Sequence, residues 1–125
     1  DINIEAQASV HMVKRLYLPA VIQFSSTLAE AIARLKSVSA SVSVPKELLT
    51  KISAILDSAG NKLVDLEEAL KKAQAIHEAQ TRAKTYRDKV VPVMNELRTD
   101  IDTLEILVAT SAWPVPSYAE MLFKL

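Results

Sequence analysis

The chain has 125 residues, one glycine (Gly60), no cysteine, and fifteen basic against fifteen acidic side chains. This is the length of one ordinary domain, and half of the residues are apolar, enough for a core that removes roughly two thirds of the unfolded surface from water. These counts exclude a glycine-rich phosphate loop, a disulfide framework, a thiolate nucleophile and a cysteine zinc site, disfavour glycine-turned hairpins, and leave no basic footprint for nucleic acid.

The first element is a helix over about 2–37. Its apolar stripe runs Ala6, Val10, Val13, Tyr17, Val21, Phe24, Leu28, Ala31, Leu35 and Val38, all at steps of three and four. Pro19 lies inside it and predicts a kink near Tyr17–Leu18, because proline lacks a ladder donor and crowds the carbonyl four residues back. A serine-rich linker follows at 38–45. Its alternation resembles a strand, but the chain offers no second strand to pair with it. Pro45 suits the start of the next helix, where a missing donor costs nothing.

The second helix spans about 46–76, with the stripe Leu48, Ile52, Ile55, Ala59, Leu63, Leu66, Leu70 and Ala73. Glu47–Lys51, Glu67–Lys71 and Glu68–Lys72 are acid-first pairs at i,i+4, favourable on a solvated face. Gly60 is either a C-cap or an interior residue; the stripe keeps its phase across it, so one continuous helix is expected. A break near His77–Thr81 precedes the third helix, over about 82–109, with the stripe Ala83, Tyr86, Val90, Val93, Leu97, Ile101, Leu104 and Val108. Pro92 predicts a kink there as Pro19 does in the first helix.

The fold class expected is all-α. Three long helices form an antiparallel bundle, the first and third kinked at prolines. The tail, 111–125, should be extended through Trp113–Pro116, because residues before prolines leave the helical region, and then form a short helix after Ser117. Trp113, Pro114, Pro116, Tyr118, Leu122 and Phe123 concentrate apolar bulk on this tail and are the expected docking anchors.

The chemistry is sparse. His11 and His77 have no partner in metal-ligand spacing. The helical His11-Met12-Val13-Lys14-Arg15 string offers one competing reading, a stand-alone histidine phosphotransfer-like module, but Arg15 stands where such a module needs a small residue. Asp65, Glu67 and Glu68, like Asp100, Asp102 and Glu105, read as solvated faces. Ser25 and Ser26 have no histidine placed to activate them. No catalytic, cofactor-binding or metal residue is assigned. No apolar run approaches the roughly 20 residues of a bilayer span, and Asp1 follows neither a methionine nor a signal-like block. The expectation is a piece of a cytoplasmic protein, with no membrane or nucleic-acid partner and no cofactor of its own.

Several strings together resemble one family: Asn3-Ile4-Glu5-Ala6, Leu18-Pro19-Ala20, Tyr86-Arg87-Asp88, Val91-Pro92-Val93-Met94, Leu97-Arg98, Asp102-Thr103-Leu104-Glu105, and Trp113-Pro114-Val115-Pro116-Ser117-Tyr118 with Met121-Leu122-Phe123. Their order resembles the C-terminal domain of bacterial type III glutamine synthetases, with Val115 and Ser117 as mild departures from the usual tail. The resemblance implies a parent ligase that joins ammonia to glutamate with ATP and Mg, in stacked hexameric rings. It implies no ligand residue here, only a non-catalytic structural role against the parent's catalytic domain and neighbouring subunits.

Overall fold

The computed structural model describes residues 1–112, with side chains through residue 108. All three of its long runs are helical, and there is no strand among the described residues. The first run comprises α1 (Ile2–Met12), a wide π turn at Val13–Tyr17, and α2 (Leu18–Ser37). The second is α3 (Ser43–Gln74). The third comprises α4 (Ala79–Thr85), a π turn at Tyr86–Val90, and α5 (Val91–Ala112).

The two π turns share one cause. Each lies immediately ahead of an X-Pro pair, Leu18-Pro19 and Val91-Pro92. A proline in a regular helix would press on the carbonyl four residues back, here Arg15 and Asp88. Both carbonyls fall inside the wide turns. The ladder reaches five residues back instead, from Leu18 N–H to the Val13 carbonyl and from Val91 N–H to the Tyr86 carbonyl. The extra residue also corrects the phase of the core. Val13 and Val21 are eight apart, which on an unbroken α-helix would separate them by about 80°. Both are buried.

The connectors are shorter than expected. α3 starts at Ser43 rather than near 46, which places Pro45 within its first turn, where no donor is required. α2 ends in a Schellman arrangement: Ala40 N–H donates to the Leu35 carbonyl at 2.9 Å and Ser39 N–H to that of Lys36 at 3.0 Å. Ser39 takes φ 60° there, a left-handed position normally given to glycine. Gly60 is interior to α3, which runs through it without interruption. The second break falls at 75–78, ahead of the expected His77–Thr81. Glu78 makes it without glycine or proline: its carboxylate caps α4 by accepting from Thr81 N–H. Arg82 reaches back to the carbonyls of Ile76 and His77.

The core gathers Ala6, Val13 and Val21 from the first run and Ile52, Ala59, Leu63, Leu66, Leu70 and Ala73 from α3. Val90, Met94, Leu97, Ile101 and Leu104 complete it from the third. Met94, not Val93, is the fully covered residue of its turn. Each large aliphatic side chain fully withdrawn from water stabilises the fold by about 1.5–3 kcal/mol. Asn3 Oδ1 accepts from Gln74 Nε2 at 2.9 Å, and Lys14, in the first π turn, meets Glu67 at 2.8 Å, which ties the first run to α3 at two points.

The first run corrects one expectation. Ile2–Ser37 is long and apolar enough to cross a membrane by length and composition. No charge occurs between Arg15 and Glu30, and the apolar residues there are spread around the helix rather than collected in one block.

Candidate functional site

A cleft of about 270 Å³ opens between α1 with its π turn and α5. Val13, Met94, Leu97 and Ile101 supply its apolar floor, and Tyr17, Arg98, Asp102 and Glu105 its polar lining. The sequence places these by periodicity: Tyr17 and Val13 share a helical face, as do Arg98, Asp102 and Glu105. The Tyr17 phenol is held above its ordinary ionisation range, first by hydrogen bonding to Glu105, then by the charge of that carboxylate, by burial, and by Asp102. A tyrosine so placed stays protonated; it is the opposite of an activated base or nucleophile.

A second polar constellation joins α3 to α5. Asp100 Oδ2 accepts from Ser58 Oγ at 2.7 Å and pairs with Lys62 Nζ at 3.1 Å. Asp100 is largely covered here, whereas the sequence reading placed it on a solvated face with Asp102 and Glu105. Those two are exposed as expected, at the polar lining of the cleft. The cover over Asp100 comes from helix-to-helix register, which local spacing does not carry. Likewise Glu67 pairs with Lys14 of the first π turn at 2.8 Å rather than with Lys71. None of the three acid-first pairs on α3 forms a salt bridge within 4 Å among the described residues.

The sequence-predicted chemistry remains dispersed. His11 is exposed in the last turn of α1, and His77 is exposed at the break before α4. No group of three or more His, Asp or Glu that could hold a metal occurs among the described residues. The anchors Trp113, Pro114, Pro116, Tyr118, Leu122 and Phe123, with the extended tail and its short helix, lie outside the described residues. The α1–α5 cleft and the Ser58–Asp100–Lys62 cluster were not singled out from sequence; only the helical phases of their members were legible.

No family model and no solved structure matches the chain. Three curated proteins do. Type-3 glutamine synthetase of Dictyostelium discoideum is 30% identical over 98% of this chain. Glutamine synthetase of Bacteroides fragilis is 26% identical over 98%, and that of Butyrivibrio fibrisolvens 31% identical over 100%. The chain spans only 18% of the length of each relative.

Proposed function

We propose that this chain, related along its whole length to type-3 glutamine synthetases, is the C-terminal helical domain of such an enzyme and serves it structurally rather than catalytically. The observation that carries the reading is end-to-end similarity to a segment that makes up 18% of much longer proteins. In this reading the three runs form an antiparallel bundle that packs on the catalytic part of a cytoplasmic, ring-forming homo-oligomer. Trp113, Pro114, Pro116, Tyr118, Leu122 and Phe123 act as its docking anchors, because buried aromatic side chains dominate interface energies.

ATP and Mg, which the resemblance implies for the parent ligase, do not fit the donors present here. One glycine gives no phosphate loop, and the described carboxylates do not gather into a ligand set. In this reading ligation belongs to the remainder of the parent.

The test is truncation of the full-length protein before Trp113. Smaller assemblies or lower thermal stability are the expected result. Unchanged sedimentation and activity would overturn the anchor role. Acid-labile phosphate on His11, after incubation with a phosphorylated receiver domain, would favour a phosphotransfer module instead.

A further inference from the structure

Ile4, Ala8, Met12 and Leu16 follow one another at steps of four along the first run, and all four are exposed. The large ones leave much of their surface bare: Ile4 is 64% accessible, Met12 42% and Leu16 60%. On a regular α-helix, residues four apart drift by about 40° per step, so such a row would spiral away. The π turn at Val13–Tyr17 reverses the drift, because its turns take more than four residues. Leu16 is thereby brought back toward the line of Ala8 instead of drifting further round the helix. Met12 also stands on the wall of the α1–α5 cleft, so the row adjoins the cleft's apolar floor.

Apolar side chains aligned in this way and left in water call for a cover. We infer that the row Ile4–Ala8–Met12–Leu16 is the surface on which the remainder of the parent synthetase seats this domain. The inference rests on the function proposed above. Length points to the occupant: more than four fifths of each relative lies outside the aligned segment, so a protein surface of the same molecule is at hand. A bilayer core fits poorly, because Glu5, His11 and Arg15 interleave with the row in sequence and would be drawn toward it. The partner surface is therefore apolar at its centre with polar groups at its margin, as protein interfaces are.

The experiment uses the full-length protein carrying Ile4→Glu, Leu16→Glu, or both. The matched controls are Val64→Glu and Ile106→Glu, at positions 53% and 66% accessible on the other two runs. Circular dichroism of residues 1–125 alone monitors folding of each variant. The expected result is a loss of assembled or thermally resistant protein of roughly tenfold or more for the row variants, with little change for the controls. Wild-type sedimentation and melting of the double variant would overturn the inference. So would self-association of residues 1–125 abolished by Leu16→Glu, which would assign the row to a second copy, or vesicle binding by that segment, which would assign it to lipid. Deleting residues 1–125 from the full-length protein separates the two claims. If deletion disrupts assembly while the row variants do not, the surface is wrong and the structural role stands; if neither does, both fail.

Discussion

Asp100 accepts the Ser58 hydroxyl at 2.7 Å from a residue forty-two positions earlier, and the same oxygen draws Lys62 to 3.1 Å. One carboxylate oxygen thus ties two positions of α3, a helical turn apart, to one position of α5. It fixes their register where the surrounding leucines would tolerate sliding.

Asp100→Ala should destabilise the fold by about 2 kcal/mol, because it leaves a partly covered ammonium and hydroxyl without their acceptor. Ser58→Ala alone should cost about 1 kcal/mol. Urea unfolding of the double variant measures the coupling; a sum additive to within about 0.3 kcal/mol would mean that the hydrogen bond contributes nothing. Lys14–Glu67 provides the contrast. Both of its side chains are substantially exposed, so Lys14→Ala should cost less than about 1 kcal/mol and the loss should fade in high salt.

The chain's one glycine and the one left-handed residue among the described residues are in exchanged positions. Gly60 is interior to α3, and a Cβ there would meet nothing within 4 Å. Gly60→Ala should therefore stabilise by roughly 0.5–1 kcal/mol. Ser39 holds φ 60° at the end of α2, and Ser39→Gly should stabilise by about 1 kcal/mol by relieving that conformation. Thermal melts of the two single variants and the double variant check both signs. The effects should add, since the sites lie in different elements.

Tyr17 should ionise above the ordinary tyrosine range near about 10, as read by ultraviolet difference titration of the native chain against Tyr17→Phe. Glu105→Gln should bring that titration down, because the Glu105 carboxylate is its largest cause. The linkage has a definite sign. A phenol raised in the folded state adds stability that is complete below its unfolded value and is lost as pH rises through the folded one. The native chain should therefore lose stability more steeply above about pH 10 than Glu105→Gln does. Parallel curves would remove Glu105 as the cause.

Much of the helical architecture was legible because it is periodic. Ile52, Ala59, Leu63, Leu66 and Leu70 are buried at the phase their spacing dictates, and Gly60 interrupts neither the stripe nor the helix. The start of α3 was misplaced because Ser41-Val42-Ser43-Val44 alternates like extended chain. Its helical character comes from Pro45 and the residues beyond it. The break at 75–78 carries no strong stop signal, since its cap is a glutamate and its closing bonds come from Arg82. The cleft and the Asp100 cluster depend on how α1, α3 and α5 align with one another. No window of local sequence encodes that alignment, and it was invisible until the helices were set side by side. The row from Ile4 to Leu16 was hidden for a related reason: the π turn that straightens it has no residue signature apart from the proline that follows.

Each π turn is in effect one surplus residue accommodated without disturbing either flank. If a residue were lost between Val13 and Tyr17, Val13 and Val21 would become seven apart and would still share a face on a plain α-helix. The Leu18-Pro19 step is therefore a place where related chains can differ by one residue and keep a common core. An alignment that distributes such a gap elsewhere along the helix would misregister every buried position downstream of it.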